Sequence, residues 1–347
     1  MRKRYHVCMC AALAVLLMTG CGNRAEERVT EPEEIVENTA VANNHATPEM
    51  DLENEKDREN AWKKPADVTE PAEPEQVLLA PEDLQEPEIA EQEVTEIVPN
   101  EHAVNKLQIV FLGDSILDGY RNDTGIASLT GVYCNADVYN LAMGGTTAAL
   151  LEDESAAYEE WTSRSLQGVV NVICGNVDRG LLDGYRAGEV FDSCNFENTD
   201  YFVLEYGMND FLSCVPLSGD DSFYDPYTYV GALRIAVQAL RDKYPDAQII
   251  LCSPNYAHFW GQDGTYLGDG NMSSNGVANL VEYHRVCGNV ANDMKTLFMN
   301  VYEGIGLDAY TADEYLEDGI HLSEKGREEY AKKLARIILE FETTRNN

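Results

Sequence analysis

The sequence predicts an α/β domain with a doubly wound parallel sheet over residues 106–347, and three observations carry that expectation. Short apolar runs recur five times, segments with apolar residues at three- and four-residue spacing separate them, and a long amphipathic stretch closes the chain. The runs are LQIVFL (107–112), ADVYNLA (136–142), DYFVLEY (200–206), AQIILCS (247–253) and LFMNVYE (297–303), rich in β-branched and aromatic residues as buried parallel strands are. Helical periodicity marks 155–173, 225–244, 279–297 and 323–341. Strands alternating with helices call for a parallel sheet covered on both faces, with the working residues at the strands' carboxyl ends.

Residues 1–20 read as an export signal. Arg2, Lys3 and Arg4 precede an apolar stretch over 7–18, too short to span a bilayer. The stretch closes on Met18-Thr19-Gly20-Cys21, which resembles the lipobox of bacterial lipoproteins. That resemblance implies cleavage before Cys21, lipid chains on Cys21, and a catalytic domain tethered to the membrane and facing outward. Residues 21–105 read as an acidic tether. From Gly22 to Asn105 there are 24 Asp or Glu against 6 Lys or Arg, 8 of the 12 prolines, and Trp62 as the single aromatic. Such a composition buries too little apolar surface to offset the entropy of ordering.

The remaining residues suffice for one domain with its own core. They carry 37 acidic and 16 basic residues, a balance that argues against nucleic acid as a partner and favours a small neutral or polysaccharide substrate. Six cysteines fall here, with no C-x-x-C pair and no Cys/His spacing of a zinc site, so no metal or organic cofactor is expected. Cys174 and Cys252 sit in apolar runs and are expected to be buried thiols.

Four short motifs sit in loops. Gly113-Asp114-Ser115 follows the first apolar run, where a serine serves either as a helix cap or as a nucleophile. Asn140 and Gly145 end the second run, and a glycine there lets backbone approach a substrate closely. Gly207-Met208-Asn209-Asp210 follows the third, where an Asn amide either closes an Asx turn or donates to an oxyanion. Asp318-Gly319-Ile320-His321 precedes the last helix, a spacing that lets a carboxylate meet one ring nitrogen while the other faces outward. His258 and His284 are the other histidines of the domain, the first in a loop and the second mid-helix.

At average residue frequencies, three of these motifs in this order have a chance probability on the order of 10⁻³ or less. Together the four blocks resemble the SGNH, or GDSL, hydrolase family from residue 107 to about 343. The resemblance implies a flavodoxin-like three-layer α/β/α sandwich around a five-stranded parallel sheet, and serine-ester hydrolysis. It also implies roles: Ser115 as nucleophile, His321 as general base and acid, Asp318 as its orienter. The oxyanion hole would be the N–H groups of Ser115 and Gly145 with the Asn209 amide, and Asp114 and Asp210 would be structural supports.

The family's blocks do not name the acyl group. Residues 254–276 form a Gly/Asn-rich loop carrying Tyr256, His258, Phe259, Trp260 and Tyr266, rings that either offer a sugar a flat apolar platform or pin the loop to the domain. Residues 210–227 are a second candidate lining. The stretch after Leu117 is polar, unlike an apolar lid over a lipid site. The expected function is therefore a surface-tethered esterase that releases a small acyl group, acetyl foremost, from a glycan. An O-acetyltransferase of cell-wall polysaccharide, a lipase- or lysophospholipase-like esterase and, last, a non-catalytic binding protein are the alternatives.

Overall fold

The computed structural model describes residues 106–345 except 220, 221 and 262. The expected signal, Cys21 and the tether lie outside the described residues. All six residues of Gln108–Gly113 (β1) are buried. Asp137–Asn140 (β2) is partly exposed, as an edge strand can be. Tyr201–Glu205 (β3) is buried throughout, and Gln248–Cys252 (β4) nearly so. His258–Trp260 (β5) and Tyr266–Asp269 (β6) form a separate antiparallel hairpin, and Leu297–Met299 (β7) returns to the main sheet. That sheet is parallel with order β2-β1-β3-β4-β7.

The order dictates where the helices go. The chain moves one way from β1 to β2 and the other way thereafter, so right-handed crossovers place the connecting helices on opposite faces. Ser115–Asp118 (α1) and Ile126–Cys134 (α2) lie between β1 and β2, followed by Leu166–Cys174 (α3), Arg186–Ser193 (α4), Met208–Leu212 (α5), Tyr229–Lys243 (α6), Leu280–Met294 (α7), Ala312–Tyr315 (α8) and Glu324–Arg345 (α9). On one face α2 packs on α9, and on the other α6 packs on both α3 and α7. The result is the expected flavodoxin-like three-layer sandwich. Its switch point falls between β1 and β3, and a crevice opens there at the strands' carboxyl ends.

Several elements differ from the sequence reading. Residues 155–165 hold a 3₁₀ turn at Tyr158–Glu160 rather than an α-helix, because Trp161 Nε1 bonds Ser163 O at 2.9 Å and the Ser165 side chain caps the helix that follows. The 254–276 loop folds into the β5–β6 hairpin. Cys252 is buried as expected, but Cys174 is only half-buried at the end of α3. His284 is buried on α7 and stacks on Tyr302 with ring centroids 5.1 Å apart.

Candidate active site

β1 delivers Gly113 to the crevice, and the chain then turns sharply. The Asp114 side chain caps α1 by accepting from Ile116 N at 2.9 Å. Ser115 is therefore the first residue of a helical turn, where a backbone N–H has no intrahelical acceptor. Among the described residues nothing accepts from it.

β3 lies beside β1 in a register that pairs Gly113 with Glu205, so both strands end at the same height. Gly207 then turns the chain at φ +130°, and a Cβ there would lie 2.7 Å from Tyr229 Oη. Only glycine meets both demands. The turn sends Asn209 back across the crevice, where Nδ2 donates to Asp114 Oδ2 at 3.0 Å and to Thr146 O at 3.1 Å. Asp210 is buried and accepts from Ala148 N and Ala149 N at 2.9 and 3.0 Å, tying α5 to the loop after β2. Burial pushes its carboxyl up to about 7 against the pull of those two bonds.

The same loop carries Gly144 and Gly145. Backbone bonds from Leu141 to Phe111 and from Met143 to Gly113 keep it against β1, and a Cβ on Gly144 would lie 3.6 Å from Ser115 Cβ. Gly145 has φ +78° and is exposed. The sequence reading missed the device that holds this turn. Asp118 accepts from Gly144 N at 2.9 Å and from Arg121 Nε at 2.7 Å, while the two remaining Arg121 nitrogens bond Asn140 O and Ala142 O at 2.6 Å. The signal was present as an acid and a base three apart on the helical turn after Ser115.

The last block closes the site. Residues 316 and 322 form an antiparallel bridge, which pinches the intervening residues into a tight loop. Asp318 Oδ1 accepts from the backbone of Ile320 and His321 at 3.0 and 2.8 Å, and Oδ2 meets His321 Nδ1 at 2.7 Å. His321 Nε2 lies 2.9 Å from Ser115 Oγ. Burial would raise the Asp318 carboxyl, but the bonds from the His321 ring and the two backbone N–H groups outweigh it and hold it at about 2. The His321 ring is raised above its ordinary value, chiefly by its bond to Asp318, against burial and with help from the charges of Asp318, Asp114 and Glu317. Arg327, buried on α9, bonds Glu317 and Leu322 O and lies 3.4 Å over the Tyr120 ring, so it ties the histidine loop to the segment after α1.

The β5–β6 hairpin braces that loop. His258 N donates to Gly319 O at 2.8 Å and Asn255 Nδ2 to Ile320 O at 3.0 Å. A Cβ on Gly319 would lie 3.1 Å from the Trp260 ring, so the indole packs on the backbone between Asp318 and His321. Of the rings expected to face a substrate, Tyr256 is only 2% exposed and Phe259 is also buried. Tyr256 Oη donates to Asp269 and meets His258 Nε2 at 3.1 Å, so this ring pins the hairpin, a correction to the sequence reading. Trp260 and Tyr266 are 47% and 45% exposed, with centroids 4.9 Å apart, and the half-buried His258 stands beside Tyr266. Trp260, His258, Asp313, Glu317 and Asp318 line a cleft of about 450 Å³. The second candidate lining, 210–227, contributes to a different cleft of about 970 Å³ with Leu151 and Asn275. A hydroxyl, an imidazole and a carboxylate in one hydrogen-bonded line can move a proton off the hydroxyl as its oxygen attacks an electrophile.

The family model for GDSL-like lipases and acylhydrolases matches residues 111–328. No curated protein sequence matches the chain. Among solved structures, one crystal structure is 20% identical, with 68% of this chain and 97% of that one covered at a TM-score of 0.51, a likeness of fold. A possible lipase from Chitinophaga pinensis is 17% identical, covering 68% of this chain and 99% of its own at 0.47. A carbohydrate acetylesterase from Sinorhizobium meliloti is 12% identical, covering 68% and 100% at 0.42.

The Asp318–His321 bond has a direct readout. Because the bond favours the charged ring, the ring loses its proton only as pH rises past the raised value, and the proton-accepting form predominates above it. By NMR, His321 should titrate above the ordinary histidine value, and Asp318→Asn should lower the midpoint. A native midpoint at or below the ordinary value would remove Asp318 as the cause.

Proposed function

The chain belongs to the GDSL-like lipase/acylhydrolase family, whose hydrolases act on esters, and on that premise we propose that it is a serine esterase releasing a small acyl group from a glycan. The observation that carries the reading is the unbroken line Asp318–His321–Ser115, with links of 2.7 and 2.9 Å. In this reading Ser115 Oγ attacks the ester carbonyl as His321 Nε2 takes its proton. The oxyanion of the tetrahedral intermediate accepts from the N–H groups of Ser115 and Gly145 and from the Asn209 amide. Both Asn209 hydrogens are committed in the resting site, so the bond to Thr146 O, the longer of the two, is the one exchanged or shared. A donor of this kind contributes roughly 3 to 4 kcal/mol to the barrier. His321 then returns the proton to the leaving alcohol, and water releases the acyl group by the same steps in reverse order.

What supports a glycan alcohol is the surface beside the triad. Trp260 and Tyr266 offer two adjoining half-exposed rings, and the cleft next to them is lined by Asp313, Glu317, Asp318 and His258, with no lysine or arginine among its described lining residues. Rings suit the apolar faces of sugars, and the acidic rim disfavours uronates by charge repulsion. Export and lipid attachment through Cys21 belong to the same proposal, supported by Arg2 to Arg4, the apolar stretch over 7–18 and the residues before Cys21.

Three measurements test the proposal. A fluorophosphonate should label the native protein, fail to label Ser115→Ala and label His321→Ala far more slowly. Equal labelling of Ser115→Ala would sink the nucleophile. Acetate release from an acetylated neutral glycan such as xylan should exceed both release from acetylated pectin and turnover of long-chain fatty esters. Faster turnover of the fatty ester would overturn the glycan reading. In bacterial cells, a radiolabelled fatty acid should enter the protein through Cys21, and labelling that survives Cys21→Ala would end the anchor assignment.

A further inference from the structure

Directly beneath the site lies a carboxyl group that none of these steps uses. Glu205 ends β3, is 1% exposed, and among the described residues no group outside Asp114 bonds either of its carboxyl oxygens. The β1–β3 register sets it beside Gly113, and after burial itself the charge of Asp114 acts on it most strongly. No cation faces it. The groups around it are Asp114 after β1, Tyr206 after β3, Asp210 on α5, Tyr229 on α6, Cys252 on β4, Cys287 on α7 and Tyr330 on α9. Every one of them is either neutral or an anion.

Two buried carboxyls side by side cannot both ionise cheaply, and the environment decides which keeps the proton. Asp114 receives the Ile116 N–H at 2.9 Å and the Asn209 amide at 3.0 Å, both of which stabilise an anion. Burial pushes the Asp114 carboxyl up to about 6, and the Ile116 N–H, the charge of His321 and the bonds from Glu205 and Asn209 keep it from rising further. For Glu205 the Asp114 backbone N–H is outweighed by burial and by the charge of Asp114, so the anion settles on Asp114 and the proton on Glu205. A buried ionised carboxylate without donors would cost several kcal/mol.

We propose that Glu205 is a positioning residue, which keeps a proton throughout the pH range in which the triad works and offers it to Asp114 as a hydrogen bond. That bond holds Asp114 as the anion of the pair. Asp114 in turn fixes the Ser115 turn and the Asn209 amide, and adds a second negative charge, beyond Asp318, to favour the imidazolium. The role rests on the esterase reading above, but the location of the proton does not.

The first experiment therefore needs no activity. The infrared spectrum of the native protein at pH 7, minus that of Glu205→Gln, should show the C=O stretch of a neutral carboxylic acid. Loss of a carboxylate band instead would overturn the proposal. The second experiment is kinetic. Glu205→Leu removes the donor and should lower kcat about tenfold with KM little changed, whereas Glu205→Gln, still neutral and a donor, should stay within about threefold of native. The acid limb of kcat/KM should coincide in native and Glu205→Gln. A limb displaced to lower pH in Glu205→Gln would mean that a negative charge had been removed, and the proposal would fail. Should Glu205→Leu not fold, the spectrum and the Glu205→Gln limb decide alone.

Discussion

The carboxylate of Asp114 is the point on which the site depends. One of its oxygens caps the turn that presents Ser115 and the other holds the amide of Asn209, so two strand ends are joined through a single buried anion. A charge removed from water at this depth persists only with donors aimed at it, and here those donors are parts of the site itself. Disturbing either the turn or the amide would leave the anion under-satisfied, so the geometry of the two blocks is mutually enforced.

The other loops are held in the same manner, by polar groups reaching between strand ends. Asp210 fastens α5 to Ala148 and Ala149, and Asp118 with Arg121 fastens Gly144 to the segment after Ser115. Arg327 fastens the histidine loop to Tyr120 through Glu317 and its own stacking. Parallel strands bring the four blocks to one edge of the sheet, but a sheet does not fix loops beyond its last ladder bond. Hydrogen bonds to charged side chains, each worth about 1.5–3 kcal/mol where solvent is excluded, supply that last step.

How much of this could be read in the sequence follows from the same division. The five strands were legible because parallel strands buried on both faces leave unbroken apolar runs, as VFL and FVL do at the centre of β1 and β3. α3, α6, α7 and α9 were legible from periodicity. α2 was not, since it starts at a glycine without a capping side chain and carries Gly131 within it. Ser115, Asn209, Asp318 and His321 were marked by short motifs. The structure brings all four together, with links that spacing alone could not measure. Glu205 was invisible, and Asp118 and Arg121 showed only their mutual spacing, because the partners that give them meaning lie about 20 to 90 residues away and no local pattern encodes such a distance.

The hairpin shows the limit from the other side. Its composition, with Gly261, Gly264 and Gly268 among polar residues, reads as a loop, and a loop could present every ring to solvent. Folding into β5 and β6 imposes alternation, and alternation sorts the rings: Phe259 turns inward onto Phe211 at 5.2 Å while Trp260 and Tyr266 stay half-exposed. The inward ring anchors the hairpin to α5, and the backbone bond from His258 anchors it to Gly319. One short ribbon thus touches both the helix that carries Asn209 and the loop that carries His321. A ligand resting on its outer rings would therefore bear on both halves of the site, which is a physical route from binding of the alcohol to alignment of the reacting groups.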